Sequence, residues 1–572
     1  MRGNRFRSRE WLAIALLVVT ALVLPAPALS QDASPSASGE ATRSLTREEF
    51  ATQLQESLQY TVAATPGGTF INSNIADIQT VHPFLAEEEF TVEVVDLIYD
   101  RLVGGDFRTG QIAPTQLADY WELAADGRTY TFHLNKDAKW HDGTDLTAAD
   151  VQFSADALAN PETGSVYTAN FSGTFESWRA IDDDTFELVA SEPTYTALFE
   201  IQALYIVPKH IWESVPLAEW RNDPGATGTD PARVIGTGPF KFQEWIQGDS
   251  VTLVRNDAAY DKVPYLDSYV LRVWPDRTAI VNALLNGEID AAEIDAADIA
   301  AVEGTPGITV VHYPTRGFSY YEFNLDPEVT TKWQDERVRK ALLYALDRES
   351  IVNDILLGYA EVARGTQPVV SYAYAPDQIV TNYTYDPAMA ASLLTEAGWT
   401  DTDGDGIVDK DGEALAFELL YNSGDPSTDR LVAYMQDAWS AIGVAATPRS
   451  LEFPALIEAT TTNPTFEIAL YGFAWNASFL QDFMFGCDQY QIGFNDMKYC
   501  NEELDAINNE AKRTFDEDAR RELLIEASNI VNDEQPVAVL YFNQDHDAFR
   551  DALRNYIPST WGEDLPQVWI QQ

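Results

Sequence analysis

Asp401, Asp403, Asp405 and Asp409 stand at positions 1, 3, 5 and 9 of a loop with Gly406 at position 6, the opening spacing of an EF-hand-like calcium loop. Hard oxygen ligands at alternate positions can wrap Ca²⁺. Position 12, where such loops place a bidentate glutamate, is Gly412, and Glu413 comes one step late. The segment reads either as a structural Ca²⁺ site or as a solvated acidic hairpin, and in neither case as a catalytic centre. The six histidines (His82, His133, His141, His210, His312, His546) form no i, i+4 pair, so the sequence offers no local histidine metal site. Gly236-Thr237-Gly238-Pro239-Phe240 resembles a phosphate loop, but Pro239 removes an N–H and no helix pattern follows. The chain carries no GxxxxGK[ST], HExxH or GxSxG motif. Ninety carboxylates make acidic neighbours inevitable, so a glycosidase acid/base pair does not follow from their presence.

The remaining reactive side chains are two cysteines, Cys487 and Cys500. Export would place them in an oxidising compartment, and with no third thiol to compete they are expected to pair. The export signal is at the N-terminus. Arg2, Arg5, Arg7 and Arg9 precede an apolar run over 11–24 that is short for a membrane span, Pro25 and Pro27 break it, and small residues follow at cleavage spacing (Ala26-x-Ala28 or Ala28-x-Ser30). An uncleaved anchor is the alternative. Residues 31–44, rich in Ser, Pro, Gly and Ala, read as a flexible tether.

The formal charge is −53 over 572 residues. This excludes nucleic acid and anionic membrane as natural partners, since both require clustered Lys and Arg. A 45% hydrophobic share excludes a disordered chain, and the length implies several domains. Residues 45–60 predict a short helix with Thr46 and Glu49 in capping-box spacing and Phe50, Leu54 and Leu58 on one face. Residues 128–134 alternate as a half-buried strand, and 251–254 and 269–273 read as strands too. Residues 276–286 predict a helix stopped by Gly287, with Ile280, Val281, Leu284 and Leu285 on one face. Residues 336–356 predict one or two further helices. The mixture is α/β.

Many blocks in order across residues 61–572 resemble the extracellular solute-binding proteins of family 5, the substrate-binding components of peptide/nickel-type ABC importers. They include Thr80-Val81-His82-Pro83, Gly127-Arg128-Thr129-Tyr130-Thr131-Phe132, Lys139-Trp140-His141-Asp142-Gly143-Thr144, Asn286-Gly287-Glu288-Ile289-Asp290, Val338-Arg339-Lys340-Ala341 and Ala397-Gly398-Trp399. The resemblance implies an α/β, two-lobed, periplasmic-binding-protein-like fold (type II, three-domain cluster C) with the ligand between the lobes. After a signal peptide (1–30) and a tether with a short helix (31–60), it implies a first lobe from 61–110, 235–320 and 535–572. It further implies an inserted domain over 111–234 and a second lobe over 321–534. The expected function is capture of a peptide-like or other small polar solute outside the cytoplasmic membrane and delivery to ABC permease subunits. No enzyme activity, no cofactor beyond the open Ca²⁺ question, no nucleic-acid partner and a monomeric state are expected. A ligand sensor for a membrane receptor and an extracellular glycoside hydrolase are the alternatives.

Peptide-binding relatives carry a second-lobe segment of the type Gly-Trp-x-x-Asp-x-x-Asp-Pro, whose first acid can pair with the ligand's amino terminus. The matching residues here are Gly472-Phe473-Ala474-Trp475-Asn476-Ala477-Ser478-Phe479-Leu480. Asn476 can donate and accept hydrogen bonds but cannot ion-pair an ammonium. The departure favours a ligand with no required α-amine: a blocked peptide, a saccharide or another polar metabolite. By resemblance the ligand-contacting residues are Trp475, Phe473 and Asn476, with Tyr372, Tyr374, Phe318, Tyr320 and Phe84.

Overall fold

A computed structural model describes residues 42–58, 60, 66–462, 464–490 and 493–571. The export signal and residues 31–41 of the tether lie outside the described residues. The end of the tether does not: Thr42–Arg43 pairs antiparallel with Glu122 and Leu123, and the Ser44 N–H donates to the Trp121 carbonyl. The helix Arg47–Leu58 follows, with its capping box made. The Glu49 N–H donates to Thr46 Oγ1 (3.2 Å) and the Thr46 N–H to Glu49 Oε2 (2.7 Å). Its apolar stripe, Phe50 and Leu54, is buried against Ala113. Burying that stripe on the neighbouring sheet fixes residues that composition alone assigns to a linker.

Three sheets organise the chain. The first is antiparallel, in the order Thr42–Arg43, Ala118–Leu123, Thr129–Leu134, Thr185–Ala190, Phe175–Ala180. The alternation of Thr129–Leu134 is realised, with Tyr130, Phe132 and Leu134 inward. In the second, Thr69–Asn74 runs parallel to Ser268–Val273, followed antiparallel by Ser250–Arg255 and Phe240–Ile246. These two sheets share one hydrophobic core running from Phe70 to Val568. The third sheet is built on two long antiparallel strands, Ile308–Phe323 and Val537–Arg550. It extends through Ile468–Ala474 and Ala416–Asn422 to Ala445–Leu451.

The two long strands pass from one lobe to the other. Val537–Arg550 pairs through 547–549 with Ala291–Glu293 and through 541–543 with Ala360–Val362. Their mutual register breaks between Pro314 and Phe318. Phe318, Tyr320, Val539 and Phe542 pack in a second-lobe core, while Ala548 packs with Ile280 and Leu284 near the first. The chain thus crosses between lobes near 315–317 and 543–545, where the register of the ladder shifts.

Local signals set the helix ends. Asp276 caps Arg277–Asn286, and Gly287 closes it at φ +74°. On that helix Leu285 is 38% exposed, although it shares the apolar side with Ile280 and Leu284. Residues 336–356 form the helix Glu336–Tyr344 and a second helical stretch over 348–355, started by the cap of Asp347. Cys487 and Cys500 are bonded, with Cα atoms 4.5 Å apart.

Candidate functional site

A cavity of about 1470 Å³ lies between the lobes. First-lobe segments supply 72–74, the helix Glu89–Ile98, 104–107, 237–239 and the C-terminal turn around Trp561; the second lobe supplies 472–474, Asn476 and Ala477. Thr315, Arg316, Gly317, Asn543 and Asp545 line it at the crossover of the two long strands. The glycine block explains one wall. A Cβ on Gly236 would sit 1.8 Å from the Ile98 carbonyl oxygen. This glycine lets two backbones touch, so that Gly238 N–H donates to Ile98 and Thr237 Oγ1 to buried Asp100. It is a packing device, not a phosphate loop.

Two of the aromatic and polar residues expected at the ligand reach the cavity. Phe473 lines it, backed by Phe318, Trp475, Phe483 and Phe494. Asn476 lines it too, its Oδ1 accepting from Ser478 N–H and Oγ. The others lie elsewhere. Trp475 is fully buried and its indole N–H donates to the Thr366 carbonyl at 2.8 Å. Phe318 and Tyr320 are core residues beside it. Phe84 is fully buried against Trp220 and His82; burial there holds the His82 imidazole neutral, its pKa down at about 3. Tyr374 donates to Glu361. Tyr372 belongs to a contact between the inserted domain and the second lobe. There the Tyr195 hydroxyl donates to the Ser478 carbonyl (2.6 Å), Arg520 lies over the Tyr195 ring and donates to Tyr372, and Arg513 pairs with Glu192.

The cavity also contains residues the sequence did not single out. Trp561 stands against Gly110, where a Cβ would lie 2.5 Å from its ring, and the Arg316 guanidinium lies 5.1 Å from its ring centre. Along Val537–Arg550 the alternation Asp545, His546, Asp547 puts two acids on one face. That spacing was the available signal. Carboxylates outnumber cations on these walls. Burial, with Glu93 and Asp547 nearby, pushes the Glu563 carboxyl up to about 8. Burial also raises Asp547 to about 7, against a 2.6 Å hydrogen bond from Tyr313 that lowers it. Burial foremost, with Glu293 and Glu89 nearby and Arg277 opposing, raises Asp545 to about 6. The wall is therefore acidic and short of protein cations.

The Asp401 loop lies on the surface. Carboxylate oxygens of Asp401, Asp403 and Asp405 converge within 4.8 Å of one another. Asp409 does not join them, because it accepts from the Thr402 N–H and hydroxyl and so closes the loop. Three of the four expected ligands are close enough together to share a metal ion.

Two lobes facing each other across a deep cleft, connected through paired strands, define a two-lobed binding protein of the type II class. The chain belongs to the bacterial extracellular solute-binding proteins, family 5, whose model matches residues 113–491. It is 28% identical over 504 residues to the oligopeptide-binding protein AppA of Bacillus subtilis, covering 86% of this chain and 89% of that protein. It is 26% identical over 490 residues to the dipeptide-binding protein of Escherichia coli, covering 82% and 87%. The solved structure of the Bacillus AppA in complex with a nonapeptide superposes with a TM-score of 0.73 at 27% identity, covering 89% of this chain and all of that one. Among the described residues no helix is long and apolar enough to cross a membrane.

Proposed function

We propose that this protein captures a peptide-like solute outside the cytoplasmic membrane and passes it, chemically unaltered, to the membrane subunits of an ABC importer. The observation that carries this reading is the 1470 Å³ interlobe cavity in a chain whose relatives are named for binding oligopeptides and dipeptides. Affinity near 1 μM corresponds to about −8 kcal/mol, which stacking on Trp561 and Phe473 with a few buried hydrogen bonds can supply. Closure follows when one ligand touches both lobes, because only differential affinity shifts the open–closed equilibrium. Such capture requires no activated nucleophile, and a single copy of the chain suffices. A structural Ca²⁺ held by Asp401, Asp403 and Asp405 belongs to the same proposal.

The test uses a pool of synthetic tetrapeptides and nonapeptides. Binding should raise the melting temperature and lower the radius of gyration in small-angle scattering, and mass spectrometry should recover the peptides intact. Unchanged scattering and melting with every pool, or recovery of cleaved peptides, would refute it.

A further inference from the structure

Five cations line the cavity, and four are already matched to carboxylates. Arg47 pairs with Asp119 (3.2 Å) and Asp261 (3.3 Å), Arg101 with Asp96 (2.8 Å), Lys262 with Asp564 (2.8 Å), and Arg277 with Asp295 (3.4 Å) and Glu293 (3.5 Å). The fifth is Arg316. Among the described residues no carboxylate lies within 4.0 Å of its guanidinium, in a protein with 90 acids and 37 basic residues. Its Nη1 donates to the Trp475 carbonyl at 3.2 Å, and its plane lies by the Trp561 ring. These two contacts fix the side chain and leave the rest of its donor fork uncommitted. It stands where the first long strand changes lobes, between Pro314 and Phe318.

We infer that Arg316 is the anion anchor of the cleft and that the solute it receives carries a free carboxylate. This rests on the peptide-capture reading above. A planar guanidinium held on an aromatic face is built for two parallel hydrogen bonds to a carboxylate. Glu89, which also lines the cavity, attracts this cation but lies beyond ion-pair distance, so closing the cleft over a neutral sugar or a blocked peptide would desolvate the guanidinium with no directly paired carboxylate, which is costly. A polyanion is disfavoured because the carboxyl groups of Glu93, Asp545, Asp547 and Glu563 line the same cavity. The ligand that fits both sets of groups is a zwitterion, its carboxylate on Arg316 and its cationic groups toward the acids. The ammonium partner that Asn476 cannot provide is thus available on the first lobe.

The experiment offers the protein two tetrapeptide libraries, identical except that one ends in free carboxylates and the other in amides, and quantifies the retained peptides by mass spectrometry. Wild type should retain the acids over the amides by about tenfold or more, although the amides carry more positive charge and the acidic wall alone would favour them. Arg316→Gln should abolish the preference, and Arg316→Lys should keep part of it; far-UV circular dichroism and the unliganded melting curve verify folding, and Arg316→Lys carries the test if Arg316→Gln fails to fold. Equal retention by wild type, or a preference that survives in Arg316→Gln, overturns the assignment and leaves peptide capture standing. Retention of neither library overturns both.

Discussion

Asp547→Asn tests the electrostatics of the cleft wall directly. Asp547 is 8% exposed and accepts a 2.6 Å hydrogen bond from Tyr313. Burial foremost, together with Glu293 and Asp545, moves its carboxyl from the usual 3.8 to about 7. The folded protein therefore keeps a proton that the unfolded chain has lost between about pH 4 and pH 7. Stability linked to this group is fully present below the unfolded pKa and drains away as pH rises through the folded one. Were nothing to relax, the displacement would be worth roughly 4 kcal/mol. Glu93, Asp545 and Glu563 share protons with it, so about 1–2 kcal/mol is expected at pH 8. Asparagine is neutral at every pH and still accepts from Tyr313. The variant should melt above wild type at pH 8 and with it at pH 4. Because a multi-lobed chain need not unfold in two states, the quantity to compare is the change in midpoint between the two pH values. The reasoning fails if the variant is displaced equally at both, or is the less stable protein at pH 8.

Trp475→Ala should cost about 3–5 kcal/mol of stability, because it empties a fully buried site and strands the Thr366 carbonyl; chemical denaturation will measure this, and an unaltered midpoint with weakened peptide binding would return Trp475 to the ligand. Trp561→Ala should weaken retention of a nonapeptide pool about tenfold with little change in far-UV circular dichroism, and unaltered retention would remove it from the site. Chelation with EDTA should lower the melting temperature and added Ca²⁺ restore it, with Asp403→Asn insensitive to both; indifference of wild type to chelation identifies the Asp401 loop as a solvated hairpin.

The sequence by itself determined whatever depends on near neighbours. The Thr46 and Glu49 capping box, the Gly287 stop, the alternation of Thr129–Leu134 and the pairing of two lone cysteines are each settled by a few consecutive residues or by elimination. The ordered blocks spread along the chain carried the family and, with it, the two-lobed fold. Tertiary structure decided which side chains face the solute. Phe473 and Trp475 have the same parity, and period-two alternation assigns a face without saying what covers it. The turn after Ala474 and the Thr366 carbonyl draw Trp475 inward while Phe473 keeps one side on the cavity. Trp561 became a cleft residue because Gly110, distant in sequence, leaves room for its ring, and Arg316 is conspicuous once its neighbours' ion pairs are known. Asp547, Glu93 and Glu563 come from three separate segments. Their mutual repulsion exists only when long-range packing brings those segments to one cavity.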